Sequence, residues 1–177
     1  MGRCLTAKAK LIRIMPNTPC LVGAGMVVIA PGKDIDDDEV TAVKKLLEPV
    51  GRVIVLAEKQ LDAVTGLSGS GPAYVFAFIE ALADGGVKAG LNKETALLLS
   101  AQTVLGAAQM MLKTGEHPSV LKDRVTSPGG TTIEGLSVLE KGCFRGNILA
   151  AVEAAARRSR ELAGVGDAAG KKEARTG

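Results

Sequence analysis

The spacing of hydrophobic positions changes about one third of the way along the chain. Three short apolar runs, at 11–15, 26–30 and 53–56, are typical of buried β-strands. Between the last two, acidic residues at 36–39 precede apolar residues at helical spacing up to Leu47. Acidic residues favour a helix N-terminus, so this part of the chain is predicted to be an α/β unit.

From Glu58 onward the strand pattern disappears, and Gly, Pro, Ser and Asn separate helical segments. The predicted helices run from an N-cap at Ser70 with Pro72 through Val87, from an N-cap at Asn92 to a stop at Thr114, from Pro118, over Ile133–Leu139 before Gly142, and over Phe144–Leu162. We therefore predict an α/β domain at 1–57, an all-α domain at 58–165 and a polar, disordered tail at 166–177.

Two of the predicted helices are apolar nearly all round, at Tyr74–Leu82 and Leu97–Leu112. Such helices need cover on every face, and a unit of five helices is too small to provide it. A second copy of the chain is the predicted cover. The longest uncharged run, 95–112, is shorter than the ~20 apolar residues of a membrane span and contains polar side chains, so no membrane association is expected.

Charge and composition argue against a nucleic-acid partner. The formal net charge is +3, and the chain has one Tyr, three Phe and no Trp, which leaves few rings on which bases could stack. Six basic residues lie late in the chain, where a solvated helix face and tail explain them: Arg157, Arg158, Arg160, Lys171, Lys172 and Arg175.

Cysteine use bears on the compartment. Cys4, Cys20 and Cys143 are odd in number, far apart and without C-x-x-C spacing, which favours a reducing compartment and predicts a cytoplasmic protein. The first ten residues contain no acidic side chain, so a mitochondrial location is the alternative.

The side chains available for chemistry exclude several classes of enzyme. His117 is the single histidine of the sequence, which argues against Ser-His-Asp triads and zinc sites, so no metal is predicted. No G-x-G-x-x-G motif follows a strand, so the chain lacks a dinucleotide fingerprint of its own.

Two segments rich in Gly, Pro and hydroxyl groups stand directly before predicted helices, at 65–72 and 126–132. Glycines let a ligand approach the backbone, and the free N–H groups of a helix start favour a carboxylate or phosphate. The alternative is an ordinary turn between helices with Ser or Thr caps, and the local sequence leaves both interpretations open.

These segments carry a resemblance to a known family. Asp62–Tyr74 (DAVTGLSGSGPAY) and Pro118–Glu140, centred on Val125–Ile133 (VTSPGGTTI), resemble the two signature segments of pyrroline-5-carboxylate reductase. Met15–Pro19 (MPNTP) is similar to a third family segment, and the likeness extends in order and spacing from about Leu11 to Leu162.

The resemblance implies reduction of the C=N bond of 1-pyrroline-5-carboxylate to give L-proline, the final step of proline biosynthesis, with hydride from NADPH or NADH. It also implies the C-terminal remnant of a Rossmann domain at 1–57, followed by an all-α dimerisation domain. The fold is thus expected to be predominantly helical, and the protein to form a homodimer or higher homo-oligomer. Family members carry an N-terminal Rossmann domain with a Gly-rich turn that holds the cofactor, so this chain is expected to be a shortened form without measurable activity alone.

The resemblance also implies roles for particular residues. Glu58, Ser127, Gly129, Gly130, Thr131 and Thr132 are expected to bind substrate, with the Thr132 hydroxyl at the ring nitrogen as the catalytic group. Asn17, Thr18 and Arg124 are expected to contact the cofactor. Arg124 stands where many family members carry Asn, so the sequence departs from the family pattern at that contact. The rival hypothesis is a non-catalytic dimerisation module that pairs with full-length subunits.

Overall fold

The computed structural model describes the backbone of residues 9–173 and the side chains of residues 9–164. These residues divide into two compact units. The sheet unit is formed by the chain up to Pro72 together with the chain from Leu149, and the helical unit runs from Ala73 to Ile148. The fold is predominantly helical with one small sheet, which confirms the predicted fold class. The predicted division at residues 57 and 58 follows the change in hydrophobic pattern, and it stays a prediction.

The elements follow the hydrophobic pattern closely. The strands are β1 (Ile12–Met15), β2 (Gly25–Pro31) and β3 (Gly51–Val55). The α-helices are α1 (Asp37–Leu47), α2 (Leu61–Val64), α3 (Gly71–Lys88), α4 (Lys93–Thr114), α5 (Pro118–Arg124), α6 (Thr131–Lys141) and α7 (Phe144–Glu173). Short 3-10 helices cover Thr18–Val22, Glu48–Val50 and Glu58–Gln60.

The centre of the sheet is β2, which pairs antiparallel with β1 and parallel with β3. Residues Val27 to Ala30 are at most 2% exposed, so this strand is buried on both faces, as its continuous apolar run predicts. Val28 and Ala30 lie on one face of β2 and pack with Leu61 and Val64 of α2. These four residues form the core cluster of the sheet unit.

The helix α1 begins where the acidic cluster predicts. The Asp36 side chain accepts a hydrogen bond from the Glu39 N–H (2.9 Å), and the Glu39 side chain accepts one from the Asp36 N–H (3.1 Å). This reciprocal capping box satisfies two N–H groups that a helix start leaves open. The prediction of an α/β unit between β2 and β3 is therefore confirmed.

The helix predicted from Ser70 does start there, with Gly71 as the first residue of α3, but the backbone of Ser70 is helical (φ −83°, ψ −22°) and not extended as at an N-cap. Residues Thr65–Gly69 form a π-helical turn that joins α2 to α3, and the Ser70 N–H donates to the Thr65 carbonyl (2.8 Å). The cause is tertiary packing, because Gly66 lies directly against the backbone of α7 at Val152 and Ala156, where a Cβ atom would not fit. The first Gly-rich segment is thus part of a helix rather than an open loop.

The helical unit is capped as predicted. The Asn92 side chain accepts from the Thr95 N–H (2.8 Å) at the start of α4, and Gly115 ends that helix with a left-handed φ of 69°. In contrast, α7 runs past its predicted end at Leu162. A single glycine such as Gly164 costs a helix only about 1 kcal/mol, so it does not stop this one. The predicted disordered tail at 166–177 is helical up to Glu173 as the end of α7, and residues 174–177 lie outside the described residues.

Much of the apolar surface of the helical unit is exposed in the single chain. Within the described part of α4, only Ala96 and Ser100 are buried, whereas Leu98 is 69% and Leu112 is 62% exposed. By length and composition alone α4 could also cross a membrane, although one such helix is weak evidence for a span. The predicted all-round apolar helix is present, and residues 9–164, whose side chains are described, do not cover it.

Candidate functional site

The second Gly-rich segment forms a tight turn between α5 and α6. The Gly130 N–H donates to the Ser127 carbonyl (3.1 Å), with Pro128 at the second position of the turn and Gly129 at the third with φ of 66°. This combination is typical of a type II turn, which needs glycine at the third position. A Cβ atom at Gly130 would collide only with the Ser127 hydroxyl, which can rotate away, so the turn itself requires glycine at position 129.

This turn leaves the start of α6 open. Gly130 is the N-cap residue, with extended backbone angles and no side chain to accept a hydrogen bond. Thr131 and Thr132 are therefore the first two helical residues, and the N–H groups of a first turn have no acceptor within the helix. The alternative role of Thr132 as an N-cap is wrong, because that position belongs to Gly130.

The predicted substrate residues of the helical unit thus come together. Ser127, Gly129 and Thr131 are exposed, and Gly130 and Thr132 are half-buried. The free N–H groups and the positive end of the helix dipole favour an anion, and a threonine hydroxyl stands beside them. The arrangement can hold a carboxylate on backbone N–H groups while Thr132 offers a hydrogen bond to a neighbouring polar atom.

Arg124, expected at the cofactor, has a partner within its own unit. Its two terminal nitrogens lie 2.6 and 2.5 Å from the two carboxylate oxygens of Glu116, a bidentate ion pair that joins the last residue of α5 to the segment before its first turn. The His117 Nδ1 accepts from the Ser119 N–H (3.3 Å) and so caps α5. Both side chains stabilise the short helix that precedes the turn.

Asn17, also expected at the cofactor, bridges three segments of the sheet unit. Its Oδ1 accepts from the Met26 N–H (2.8 Å) at the start of β2, and its Nδ2 donates to the Ser68 carbonyl (3.1 Å) in the π-helical turn. Thr18 begins the adjacent 3-10 helix and is exposed. Both ends of the Asn17 amide are therefore occupied by contacts within the chain.

Glu58, expected at the substrate, lies at the start of a 3-10 helix in the sheet unit. Its Oε1 is 2.5 Å from Arg13 Nη1, in an ion pair whose side chains are 60% and 41% exposed. The predicted residues therefore fall into two groups: Asn17, Thr18 and Glu58 belong to the sheet unit, while Arg124 and the turn at 127–132 belong to the helical unit.

Sequence reasoning missed a cavity in the sheet unit. It has a volume of about 470 Å³, and its polar lining is formed by Arg13, Thr65, Ser70, Arg158 and Ser159. Thr65 and Ser70 of this lining belong to the first Gly-rich segment, which the sequence had indicated. The two arginines come from β1 and α7, and no local signal could indicate that α7 returns to pack against this strand.

Comparison with known proteins identifies the family. Residues 58–162 match the model of the pyrroline-5-carboxylate reductase dimerisation family, a range that includes both Gly-rich segments. The Arabidopsis thaliana pyrroline-5-carboxylate reductase is 59% identical over 153 residues, which are 86% of this chain and 55% of that protein.

Solved structures agree. The Coxiella burnetii pyrroline-5-carboxylate reductase has a TM-score of 0.85 and 43% identity, over 89% of this chain and 59% of that one. The Plasmodium falciparum pyrroline carboxylate reductase, solved with NADP bound, has a TM-score of 0.83 and 40% identity, over 88% of this chain and 63% of that one.

This chain spans somewhat more than half the length of the relatives that it matches. Within that span, the family match covers the turn at 127–132 and the apolar helices α3 and α4. On this evidence the chain belongs to the pyrroline-5-carboxylate reductase family.

Proposed function

We propose that the chain provides the substrate-binding part of an NADPH- or NADH-dependent pyrroline-5-carboxylate reductase, which reduces 1-pyrroline-5-carboxylate to L-proline. The observation that carries this proposal is the open N-terminus of α6, whose N-cap Gly130 supplies no side chain to its first-turn N–H groups. This helix start lies inside the matched range of the family.

The turn suits the substrate chemically. The substrate is a five-membered cyclic imine that bears a carboxylate, and the N–H groups at Thr131 and Thr132 can hold that carboxylate without a basic side chain. The Thr132 hydroxyl then hydrogen-bonds the ring nitrogen. Since an imine nitrogen can take its proton from solvent, the protein need not supply a strong acid, which fits a chain whose one histidine caps α5.

The residues of this chain do not by themselves fit a whole dinucleotide. The sequence has no Gly-rich fingerprint after a strand, and the amide of Asn17, a residue expected at the cofactor, is engaged at both ends by the Met26 N–H and the Ser68 carbonyl. When bound, the cofactor supplies the hydride. The contribution of this chain is to fix the imine by its carboxylate and nitrogen, so that its carbon is held in one orientation for the transfer.

We propose further that the active protein is a homodimer or a larger homo-oligomer. The support is the exposed apolar surface of α3 and α4, including Phe76 (62% exposed) and Leu98 (69%), in a segment that matches a dimerisation family. Surface of this kind is stable in water only when another molecule covers it. A second copy of the chain is the proposed cover, in preference to a membrane or a nucleic acid.

A cytoplasmic location is part of the same proposal. It is supported by the wide spacing of the three cysteines, and Cys20 and Cys143 carry free thiols. Cys4 lies outside the described residues. Free thiols are typical of a reducing compartment such as the cytoplasm. The mitochondrial matrix is also reducing and is the alternative location.

The second candidate function is a non-catalytic module that pairs with full-length subunits. It is favoured by the lack of a Gly-rich fingerprint, because hydride transfer requires a held cofactor. The two functions differ in what the purified chain binds: the reductase hypothesis predicts binding of the substrate carboxylate at the start of α6, whereas the module needs no small ligand.

The proposal is tested by an assay of NADPH and NADH oxidation with 1-pyrroline-5-carboxylate. One sample is the 177-residue chain, and the other is the chain fused to the Gly-rich nucleotide-binding segment of the Arabidopsis thaliana relative. We expect no turnover from the chain alone and turnover from the fused enzyme. An inactive fused enzyme that is folded and binds NADPH would refute the proposed function.

A further inference from the structure

The cavity of the sheet unit has features of a small-molecule site that the proposed reaction does not use. Its volume of about 470 Å³ lies within the range of ligand pockets in proteins. Its lining includes the side chains of Arg13 and Arg158, the hydroxyl residues Thr65 and Ser159, and apolar surface from Met15 and Leu162. The lining therefore combines two cationic side chains with neutral hydroxyl groups.

The arginines are available to an incoming anion. Arg13 is paired with Glu58 at 2.5 Å and Arg158 with Glu161 at 3.0 Å, in ion pairs whose side chains are 41–63% exposed. Exposed pairs of this kind contribute little to stability, so a ligand carboxylate can replace one of the protein carboxylates at small cost. The Ser70 side chain, also on the lining, adds a hydroxyl that can donate to the same anion.

The hydroxyl groups of Thr65 and Ser159 are suited to a hydrogen-bond donor of the ligand rather than to its anionic group. Thr65 Oγ1 donates its proton to the Leu61 carbonyl (2.8 Å), and Ser159 Oγ donates to Asp62 Oδ1 (2.6 Å). With their protons committed, both oxygens can only accept hydrogen bonds from a ligand. Because Ser159 is hydrogen-bonded to the Asp62 carboxylate, the surroundings of Ser159 attract a positively charged N–H donor.

The π-helical turn explains why these groups converge. Thr65 begins the turn and Ser70 follows it. The backbone of the turn lies against α7 at Gly66, where a Cβ atom would have no room, and Gly69 lies against the terminal methyl of Met15. Turns of this type occur frequently at functional sites because they redirect side chains that a regular helix would place elsewhere.

We propose that this cavity binds a small zwitterionic amino acid, with its carboxylate on Arg13 and Arg158 and its ammonium or secondary amine on Thr65 and Ser159. A ligand with only one of the two charges can bind either the arginines or the hydroxyls, and it leaves the other set of groups without a partner. This site is separate from the start of α6, and its existence does not depend on the proposed reaction.

The test is isothermal titration calorimetry of the 177-residue chain with L-proline as the probe. Propionate and pyrrolidine, which carry only the carboxylate or only the amine, are the comparison ligands. We expect L-proline to bind more tightly than either. Arg158→Gln should raise the Kd for L-proline about tenfold or more, because it removes a charge-assisted hydrogen bond. Arg157→Gln is the matched control, since it removes the same charge from the same helix outside the lining, and it should change the Kd less than about twofold.

A second measurement keeps the proposal testable if Arg158→Gln fails to fold. In amide NMR spectra, L-proline should shift the signals of Thr65 and Ser70 in the wild-type chain, and Thr132→Ala should leave those shifts unchanged. No binding of L-proline, equal weakening by the two arginine variants, or shifts confined to 129–132 that Thr132→Ala abolishes would each overturn the proposal. The last result would leave the proposed substrate site intact.

Discussion

Gly66→Ala should destabilise the protein, because the π-helical turn has no space for a side chain at this position. A Cβ atom there would lie 2.6 Å from the Val152 carbonyl oxygen, 2.9 Å from the Ala156 nitrogen and 3.1 Å from the Ala156 Cβ. The first two are backbone atoms of α7, which cannot rotate away as the end of a side chain can. Overpacking of this kind costs about 1–3 kcal/mol.

For a chain of this length, that loss corresponds to a Tm lower by roughly 2–12 °C. The assay is thermal unfolding followed by circular dichroism at one fixed protein concentration, since association also shifts Tm. Gly71→Ala is the control, because a Cβ atom at Gly71 meets nothing within 4 Å, and its Tm should fall by no more than about 2 °C. Equal Tm values for Gly66→Ala and the wild type would refute the packing of the turn against α7.

Two further predictions concern the oligomer and the bridge at Asn17. Sedimentation of the wild type should show no folded monomer at micromolar concentration. Ala107→Glu, on the exposed surface of α4, should dissociate or aggregate the protein because it buries a charge in the proposed interface. A compact wild-type monomer would contradict the proposed oligomer. Asn17→Ala should cost about 1–3 kcal/mol in urea unfolding, because it leaves the Met26 N–H and the Ser68 carbonyl without partners. Thr18→Ala, at an exposed neighbour, should stay within about 0.5 kcal/mol, and equal losses for the two variants would contradict the bridging role.

Local sequence was sufficient wherever one residue determines a helix end. The Asp36 and Glu39 side chains form their capping box through contacts three residues apart, and Asn92 caps α4 in the same way. The continuous apolar run at β2 likewise predicted a strand buried on both faces. The antiparallel pairing of β1 with β2 had no such signal, because the hydrophobic pattern carries no information about strand direction.

Local sequence predicted the start of α3 but not the π-helical turn before it, where long-range packing determines the backbone. Ser70 before Pro72 has the composition of a helix start, yet the contact of Gly66 with Val152 and Ala156 holds the preceding residues in a π-helical turn. The two interacting segments lie far apart in the sequence. A prediction based on neighbouring residues could not include this contact.

Local sequence predicted one part of the candidate site and missed the rest. The turn at 127–132 could be read from its own residues, because Pro128, Gly129 and Gly130 specify the type II turn and the open start of α6. The surroundings of Asn17 and Arg124 could not, since their partners come from other segments of the fold. The structure therefore adds positions and partners to a set of residues that the sequence had already indicated.

The most direct test of the proposed site is at Thr132, whose hydroxyl is proposed to hydrogen-bond the reacting ring nitrogen at the start of α6. The measurement is kcat/KM of the fused enzyme carrying Thr132→Ala or Thr132→Ser, with Tm determined on the same samples. Since Gly130 and not Thr132 is the N-cap, Thr132→Ala should change Tm by no more than about 2 °C.

The same variant should lower kcat/KM about tenfold or more, because the lost contact is stronger in the transition state than in the free enzyme. Thr132→Ser keeps the hydroxyl and should retain most of the activity. An unchanged kcat/KM in folded Thr132→Ala would contradict the account.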